Sequence, residues 1–202
     1  MFAAALALAA GGPAFGQQQE ITLDAASSDF DRRNERLIFK EVRIQQGELV
    51  ISADEAESRD LDFARGSWLF QGNVRISGPM GNIESERATV SFADHRLRTA
   101  TAEGSPARFS RVMPEPEGRL VTGTARKIDF DLSRGELALA GQAALRDGVR
   151  EVTGGRLVYR ITEDRLIASA DDDGQERVRI VISPPDPRAE GESEDGDGDE
   201  TP

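Results

Sequence analysis

The chain contains no cysteine and a single histidine. Sites built from cysteine are therefore excluded, and a metal or catalytic site could use only one histidine. Disulfide frameworks and thiolate metal centres both need cysteine. The one histidine, His95, stands between Asp94 and Arg96 in a segment typical of a polar turn, and we interpret it as a solvated turn residue. No Gly-x-Ser-x-Gly segment, which presents a serine nucleophile in many hydrolases, is present. The sequence therefore offers no recognisable nucleophile.

Basic residues are in the minority, with 25 Lys and Arg against 37 Asp and Glu and a net charge of -12. A protein that binds nucleic acid needs a basic face for the phosphates, so we predict no nucleic-acid partner. Hydrophobic residues make up 38% of the chain and charged residues 31%, an ordinary balance for a folded domain. A length of 202 residues is enough for one domain with a substantial core.

Composition divides the chain into three segments. Residues 1–16 are alanine-rich and apolar, are interrupted by Gly11-Gly12-Pro13 and end in small residues, which predicts a secretory signal peptide. No Lys or Arg precedes Arg32, so the basic part of such a leader is missing, and a disordered alanine-rich start is the alternative. Residues 17–183 are predicted to form one domain. Residues 184–202 carry eight acidic residues against one arginine and are predicted to be a disordered acidic tail.

One stretch, Trp68 to Gly78, shows the strand pattern most clearly. Trp68, Phe70, Val74 and Ile76 share one parity, while the residues between them are mostly polar. An alternation at period two predicts a strand with one apolar face. Gly72 falls on the apolar parity, where a missing side chain favours a bend or a close backbone approach.

Weaker copies of this stretch recur along the chain. Aligned on Gly72, the matching positions are Lys40, Gly104 and Gly141. A second element, apolar-x-aromatic, occurs at Leu61-x-Phe63, Val90-x-Phe92, Ile128-x-Phe130 and Leu157-x-Tyr159, with Phe30 opening the series. Both recur at intervals of roughly thirty residues, which is typical of repeated supersecondary units. We therefore predict an all-β protein built from repeated short hairpins that share one interior.

Smaller signals refine this prediction. Residues 93–96 are expected to form a polar turn, and Pro106 favours a bulge or an edge. Residues 112–119 are expected to form an irregular loop. The first strand is predicted at Ile21-x-Leu23 and the last at Arg177 to Ile182.

The chain resembles the LptA family of periplasmic lipopolysaccharide-transport proteins with the OstA-like fold. The resemblance covers roughly residues 20–170. It rests on three segments and on the repeat at residues 137–143: Gly104 to Phe109, Gly123-x-Ala125-x-x-Ile128-x-Phe130 and Gly155-x-Leu157-x-Tyr159. Each motif is weak alone, whereas their order and spacing together are fairly specific.

The resemblance implies a single antiparallel β-jellyroll, V-shaped, with two facing sheets and open ends. It implies a periplasmic bridge that carries lipopolysaccharide from the inner to the outer membrane and shields lipid A acyl chains in an apolar groove. No catalysis, cofactor or metal is implied. The implied partners are an inner-membrane transporter complex and an outer-membrane translocon with the same jellyroll fold, together with further copies in an end-to-end homo-oligomer.

Parity within each strand, together with family positions, predicts the residues that line the groove. They are Ile21, Leu23, Ile38, Val42, Ile44, Phe70, Val74, Ile76, Phe92, Phe109, Ile128, Phe130 and Tyr159. The same residue types also suit ordinary core packing. An assembly edge is predicted at Val178, Ile180 and Ile182, because an incompletely protected edge strand invites pairing with another chain.

Two alternatives stay open at this stage. One is a membrane-associated transporter subunit, or a piece of an outer-membrane assembly protein, with the same fold. The other is an exported repeat-type polysaccharide-binding protein or enzyme, which would place converging carboxylates in a polar groove.

Overall fold

The structure, a computed structural model, describes residues 19–59, 61, 63–114, 118–171 and 174–183. The predicted signal peptide (residues 1–16) and acidic tail (residues 184–202) lie outside the described residues. Twelve strands occur in the described part of the chain. They are β1 (Ile21–Asp24), β2 (Ser27–Asp31), β3 (Arg36–Gln46), β4 (Leu49–Ser58), β5 (Arg65–Gly78), β6 (Gly81–Ala93), β7 (Arg96–Val112), β8 (Leu120–Asp131), β9 (Glu136–Asp147), β10 (Arg150–Arg160), β11 (Arg165–Ser169) and β12 (Arg179–Ile182).

All twelve strands belong to one unclosed antiparallel sheet. From β3 to β10, every strand pairs with the next strand in the sequence. At each end the last long strand has two short partners: β3 pairs with β1 and β2, and β10 pairs with β11 and β12. The all-β class and the repeated antiparallel hairpins are confirmed, although the middle strands are longer than the sequence suggested.

A line of irregularities, here called the fold line, crosses the sheet through the middle of the long strands. Glu41 has φ 50°, the Gly72–Asn73 pair has φ 74° and 47°, and the Gly141–Gln142 pair has φ 74° and 54°. The pairing register shifts at this level in the other long strands, including at Pro106 in β7. Bulges of this kind bend strands and increase their twist. The repeat positions aligned on Gly72, namely Lys40, Gly104 and Gly141, therefore lie at or next to the bends of β3, β7 and β9, and Gly72 itself lies at the bend of β5.

The bends fold the sheet so that its two halves face each other. Leu139 pairs with Ile128, which lies five residues, or about 16 Å of extended strand, beyond Gly123. Nevertheless, the Cβ position of Gly123 lies only 2.8 Å from Leu139 Cδ2. The two facing sheets expected from the sequence are thus two halves of one continuous sheet.

The inner faces of the two halves differ in composition. We call the half that contains β2 and β11 the aromatic half. One of its inner rows crosses eight strands as Phe39, Ala56, Phe70, Ala88, Ala102, Ile128, Leu139 and Leu157. We call the half that contains β1 and β12 the aliphatic half. Its inner row is Leu23, Ile44, Ile51, Ile76, Ile83, Phe109, Gly123, Leu145, Val152 and Ile180.

Ile38 is a correction to the predicted groove. Its neighbours Leu37 and Phe39 are buried, whereas Ile38 is half-buried and pairs with Asp29 and Glu57 on the other face. The inward parity of β3 changes at Glu41, whose positive φ interrupts the alternation. Extending the parity of Val42 and Ile44 back across that residue therefore placed Ile38 on the wrong face.

The predicted polar turn is confirmed. Strand β6 ends at Ala93 and β7 begins at Arg96, so Asp94 and His95 form a two-residue hairpin loop. Both residues have positive φ, 54° and 57°, as a tight hairpin of this length requires. His95 is exposed at the tip of this turn.

Candidate functional site

The candidate site is the apolar interior between the aromatic and aliphatic halves. Of the thirteen predicted groove residues, ten are buried in a single hydrophobic cluster. These ten are Val42, Ile44, Phe70, Val74, Ile76, Phe92, Phe109, Ile128, Phe130 and Tyr159. Ile21 and Leu23 are partly buried and pack against the same cluster, and Ile38 lies outside it. The prediction thus located the interior, but burial alone does not test whether these residues contact a lipid.

Side chains fill most of this interior. Trp68, Phe70, Ile128, Leu139 and Leu157 are each 0% exposed. Protein cores packed in this way contain few voids larger than a water molecule. A ligand can therefore enter where the two halves separate, and the described residues form clefts between the halves at two places.

The larger opening, here called the N-terminal cleft, has a cavity volume of about 660 Å³. Its aliphatic-half wall includes Leu49, Ile76 and Met80, and its aromatic-half wall includes Leu97 and Phe130. Polar residues of the β3–β4 and β6–β7 turns line it as well. Among the described residues, a hydrogen bond crosses this opening: the Gln46 side-chain amide donates to the His95 carbonyl oxygen at 2.5 Å.

The smaller opening, here called the C-terminal cleft, has a cavity volume of about 270 Å³. Val121, Leu145, Val152 and Ile180 line it from the aliphatic half, and Tyr159 and Leu166 line it from the aromatic half. Arg150, Asp147 and Asp164 complete the lining. It lies near the last strands of the sheet, where two of its apolar residues, Leu166 and Ile180, belong to β11 and β12.

An arginine joins the two halves beside this second cleft. The guanidinium of Arg119 forms ion pairs with Asp147, at the end of β9, and with Asp164, in the turn between β10 and β11. Arg111 adds a second bridge, since its Nη1 donates to the Ile161 carbonyl oxygen at 3.2 Å. The ends of the two halves are therefore held together by charged side chains.

The only tyrosine belongs to the same group of contacts. The hydroxyl of Tyr159 donates to Asp164 Oδ1 at 2.8 Å and lies 3.6 Å from Met113 Sδ. Burial, followed by the hydrogen bond to the Asp164 carboxylate, raises the pKa of Tyr159 to about 12. Tyr159 thus keeps its proton throughout the physiological pH range.

Two carboxylates at the end of β8, Asp129 and Asp131, have structural roles. Asp131 accepts hydrogen bonds from the Ser133 hydroxyl and from the backbone N–H groups of Ser133 and Arg134 in the β8–β9 turn, and these bonds lower its pKa. Asp129 accepts a hydrogen bond from the Thr101 hydroxyl of the neighbouring strand at 2.8 Å. Among the described residues, no group of three or more His, Cys, Asp and Glu side chains is arranged to hold a metal ion.

Sequence reasoning missed several residues that line the N-terminal cleft. Leu49, Met80 and Leu97 were not among the predicted groove residues. Leu49 shares the parity of Ile51 and Ala53, so the period-two pattern of β4 could have identified it. Met80 lies in the turn between β5 and β6, where no periodic signal exists.

The two unpaired ends of the sheet expose apolar side chains. At the first end, Phe30 pairs with buried Leu37 yet is 62% exposed. At the last end, Val178, Ile180 and Ile182, the predicted assembly edge, are all exposed. Only residues 179–182 form the strand, so Val178 lies just before it.

Both the sequence and the fold are similar to those of known proteins. Residues 55–165 match the family model described as LptA/(LptD N-terminal domain) LPS transport protein. The lipopolysaccharide export system protein LptA of Escherichia coli K12 is 24% identical over 132 residues, which cover 64% of this chain and 69% of that protein. The LptA of Haemophilus influenzae has the same identity, over 64% and 74% of the two chains.

A solved structure shares the fold. The crystal structure of LptH, described as the LptA-homologous periplasmic component of the lipopolysaccharide transport device of Pseudomonas aeruginosa, superposes with a TM-score of 0.52. The match covers 82% of this chain and 96% of that one, at 17% sequence identity. In the described part of this chain, no helical segment has the length and apolarity of a membrane span.

Proposed function

The chain belongs to the LptA/(LptD N-terminal domain) family of LPS transport proteins, and from that membership we propose that it carries lipopolysaccharide across the periplasm with the lipid A acyl chains between its two half-sheets. The named relatives are LptA proteins, and LptH is a periplasmic component, which supports the periplasm as the location. In this proposal the protein is a non-catalytic bridge between the two membranes, and its interior acts as a shielding surface.

One observation carries the proposal: an unbroken apolar row runs along the inside of the folded sheet from one open end to the other. In the aliphatic half this row begins at Leu23 and ends at Ile180. Keeping an acyl chain out of water is worth about 0.8 kcal/mol per buried methylene, so roughly a dozen methylenes give on the order of 10 kcal/mol gross. A uniform apolar wall supplies this energy at any position along the row, which suits a ligand that moves.

The two clefts support entry of the lipid between the halves. Separating the filled halves costs contacts, and the N-terminal cleft is the larger of the two openings, with a cavity of about 660 Å³ against about 270 Å³. Its lining combines apolar walls with polar turn residues at the rim, as an amphipathic ligand requires. We propose that acyl chains enter there while the sugar headgroup stays in water.

Assembly end to end is the second part of the proposal. The exposed inner-face residues Phe30 and Ile180 lie at opposite ends of the sheet. Pairing the first edge of one copy with the last edge of another would bury both and continue the interior from copy to copy. Such a heterologous contact grows linearly without closing. The same contact suits transporter or translocon subunits that present a matching edge.

Competition binding separates a lipid carrier from a polysaccharide-binding protein. Purified protein is titrated with fluorescently labelled lipopolysaccharide, and intact or fully deacylated lipopolysaccharide is added as competitor. We expect intact lipopolysaccharide to compete and the deacylated form, which keeps the sugars and phosphates, to fail. Equal competition by the two forms would reject acyl-chain recognition and favour the polysaccharide-binding alternative.

A further inference from the structure

The aromatic half contains a cluster of rings around the only tryptophan of the chain. Trp68, near the start of β5, is 0% exposed. Its ring stacks with Phe39 at a centroid distance of 5.8 Å and with Phe70 at 6.3 Å, both from the strands. Phe63 stacks with it most closely, at 5.0 Å and 13°. Phe63 also meets Phe92 edge-on at 5.1 Å and 86°.

Phe63 differs from the other rings in how it is held. It belongs to the connection between β4 and β5, outside any strand, and it is only partly buried. Leu61, two residues earlier in the same connection, is 55% exposed. The backbone pairing that fixes Phe39, Phe70 and Phe92 is therefore absent at Phe63. Its ring occupies the cluster through side-chain stacking. The Asp94 N–H donates to the carbonyl oxygen of the next residue, Ala64, at 2.8 Å, and turning the Phe63 side chain outwards would break neither that bond nor a strand pairing.

The cluster also contains an unused hydrogen-bond donor. The indole Nε1–H of Trp68 is buried and has no hydrogen-bond partner among the described residues. Buried polar groups in folded proteins are bonded in the large majority of cases, and a donor left unsatisfied is costly. The surrounding Phe side chains supply no strong acceptor. The buried polar neighbour is Ser58, the next residue along β4 from the Glu57–Leu69 pair, and Trp68 Nε1–H is the donor of this mainly aromatic site that has no partner.

We propose that this aromatic cluster is a binding site for a fatty-acyl ester, in which the acyl chain displaces Phe63 and Trp68 Nε1–H donates to the ester carbonyl oxygen. The inference rests on the proposed function and names the chemical group that the interior recognises. An ester brings an acceptor and no donor, which matches a site with one free donor. A peptide segment would bring several N–H groups into surroundings made mostly of aromatic rings, which offer them few acceptors, so we favour the ester.

A matched pair of ligands tests the carbonyl directly. Monodecanoylglycerol and the monodecyl ether of glycerol share a headgroup and a ten-carbon chain, but only the first has a carbonyl. Binding to the full chain is measured by isothermal titration calorimetry below the micellar concentrations. We expect the wild type to bind the ester about five- to tenfold more tightly, the ratio that one net hydrogen bond gives. Equal affinities for the two ligands in the wild type would overturn the inference.

Two variants locate the effect. Trp68→Phe keeps an aromatic ring and removes the donor, so we expect the ester and the ether to bind it equally. Retention of the ester preference in Trp68→Phe would overturn the assignment to this residue. Phe63→Ala is expected to bind both ligands more tightly while keeping the wild-type ratio, because it vacates the cluster and leaves the donor in place.

Intrinsic fluorescence gives an independent readout because Trp68 is the only tryptophan. We expect the ester to shift its emission to longer wavelength more than the ether does, and identical shifts would count against the inference. If both ligands bind equally, only this inference fails. If neither ligand nor lipopolysaccharide binds, the proposed function fails with it.

Discussion

The open side of the folded sheet is closed in different ways at its two ends. Around the N-terminal cleft, an amide-to-carbonyl hydrogen bond from Gln46 to His95 joins the two halves beside a cavity of about 660 Å³. Around the C-terminal cleft, Arg119 bridges Asp147 and Asp164 beside a cavity of about 270 Å³. A neutral hydrogen bond is worth about 0.5–1.5 kcal/mol net, whereas bonds to charged groups are stronger. We infer that the halves separate first at the N-terminal cleft.

This difference bears on the proposed transport of a lipid. In that proposal the ion-paired part keeps the two halves in register, and the weakly joined part admits the ligand.

Locking the N-terminal cleft should abolish lipid binding. The chain has no cysteine, so Gln46→Cys together with His95→Cys creates the only two thiols. Joining them with a short bismaleimide linker should reduce lipopolysaccharide affinity at least tenfold, because the halves can no longer separate there. The uncoupled double variant serves as the control. Unchanged affinity after complete coupling, verified by mass spectrometry, would place the entrance elsewhere.

His95→Ala alone should change neither lipopolysaccharide binding nor thermal stability. The contact across the cleft uses the backbone carbonyl of His95, and its side chain is exposed at the hairpin tip. We expect lipopolysaccharide affinity and Tm to match the wild type within error. A loss of function with the fold intact would show that the imidazole has a role beyond the turn.

Removing the Arg119 ion pairs beside the C-terminal cleft should lower the free energy of unfolding. Arg119 is 23% exposed at its side chain, Asp147 20% and Asp164 43%, so solvent screens the second ion pair more than the first. For Arg119→Ala we expect the free energy of unfolding to fall by about 1–2 kcal/mol, between the values for surface and buried pairs. Urea denaturation measures this change.

Arg98→Ala is the matched control for Arg119→Ala. Arg98 pairs with a single carboxylate, Asp94, at 2.9 Å. The two side chains are 41% and 83% exposed and lie in the same hairpin. We expect a change of less than about 0.5 kcal/mol. Equal losses for the two variants would show that the Arg119 bridge does not differ from an ordinary surface ion pair.

The exposed last edge should control self-association. Ile180 is 62% exposed at the inner row of β12, and Ile180→Glu places a charge where the proposed contact buries an apolar side chain. Light scattering at increasing concentration should show smaller oligomers for this variant. Glu151→Gln, on the neighbouring strand, is the control. A wild type that stays monomeric at high concentration would reject end-to-end assembly.

The last of these predictions concerns the titration of Tyr159. It is the only tyrosine, so absorbance at alkaline pH reports its ionisation without interference from other tyrosines. Its pKa of about 12 exceeds the value near 10 of an exposed tyrosine. The folded state therefore favours the protonated form, and the resulting stability is fully present below about pH 10 and is lost as the pH rises towards 12. A pKa near 10 in the folded protein would contradict the packing of the C-terminal cleft.

The sequence was sufficient to predict the fold class and most of the interior, because both depend on local patterns. The period-two alternation of β5 and the aromatic pairs of β6, β8 and β10 gave the inner residues correctly. The sequence showed the repeat at Gly72 and Gly141, but it did not show that the sheet bends at these positions. Positive φ at Asn73 and Gln142, which accompanies the bends, leaves no periodic signal in the sequence. The wrong placement of Ile38 has the same cause.

The closures could not be predicted from the sequence. Arg119 lies 28 residues from Asp147 and 45 residues from Asp164, and only the folded sheet brings the three together. Likewise, nothing in the connection between β4 and β5 shows that Phe63 stacks on Trp68. Such contacts depend on the bend of the whole sheet and not on neighbours in the chain.

Site-specific photo-crosslinking tests most directly whether the interior between the halves holds the lipid. A benzophenone amino acid is placed at Leu49 or Met80, which line the N-terminal cleft, and at Arg43 or Arg75, which are exposed on the outer face. After irradiation with lipopolysaccharide, the proposal predicts adducts from the two cleft positions and none from the two outer positions. Adducts from the outer positions alone, or equal yields from all four, would contradict transport between the half-sheets.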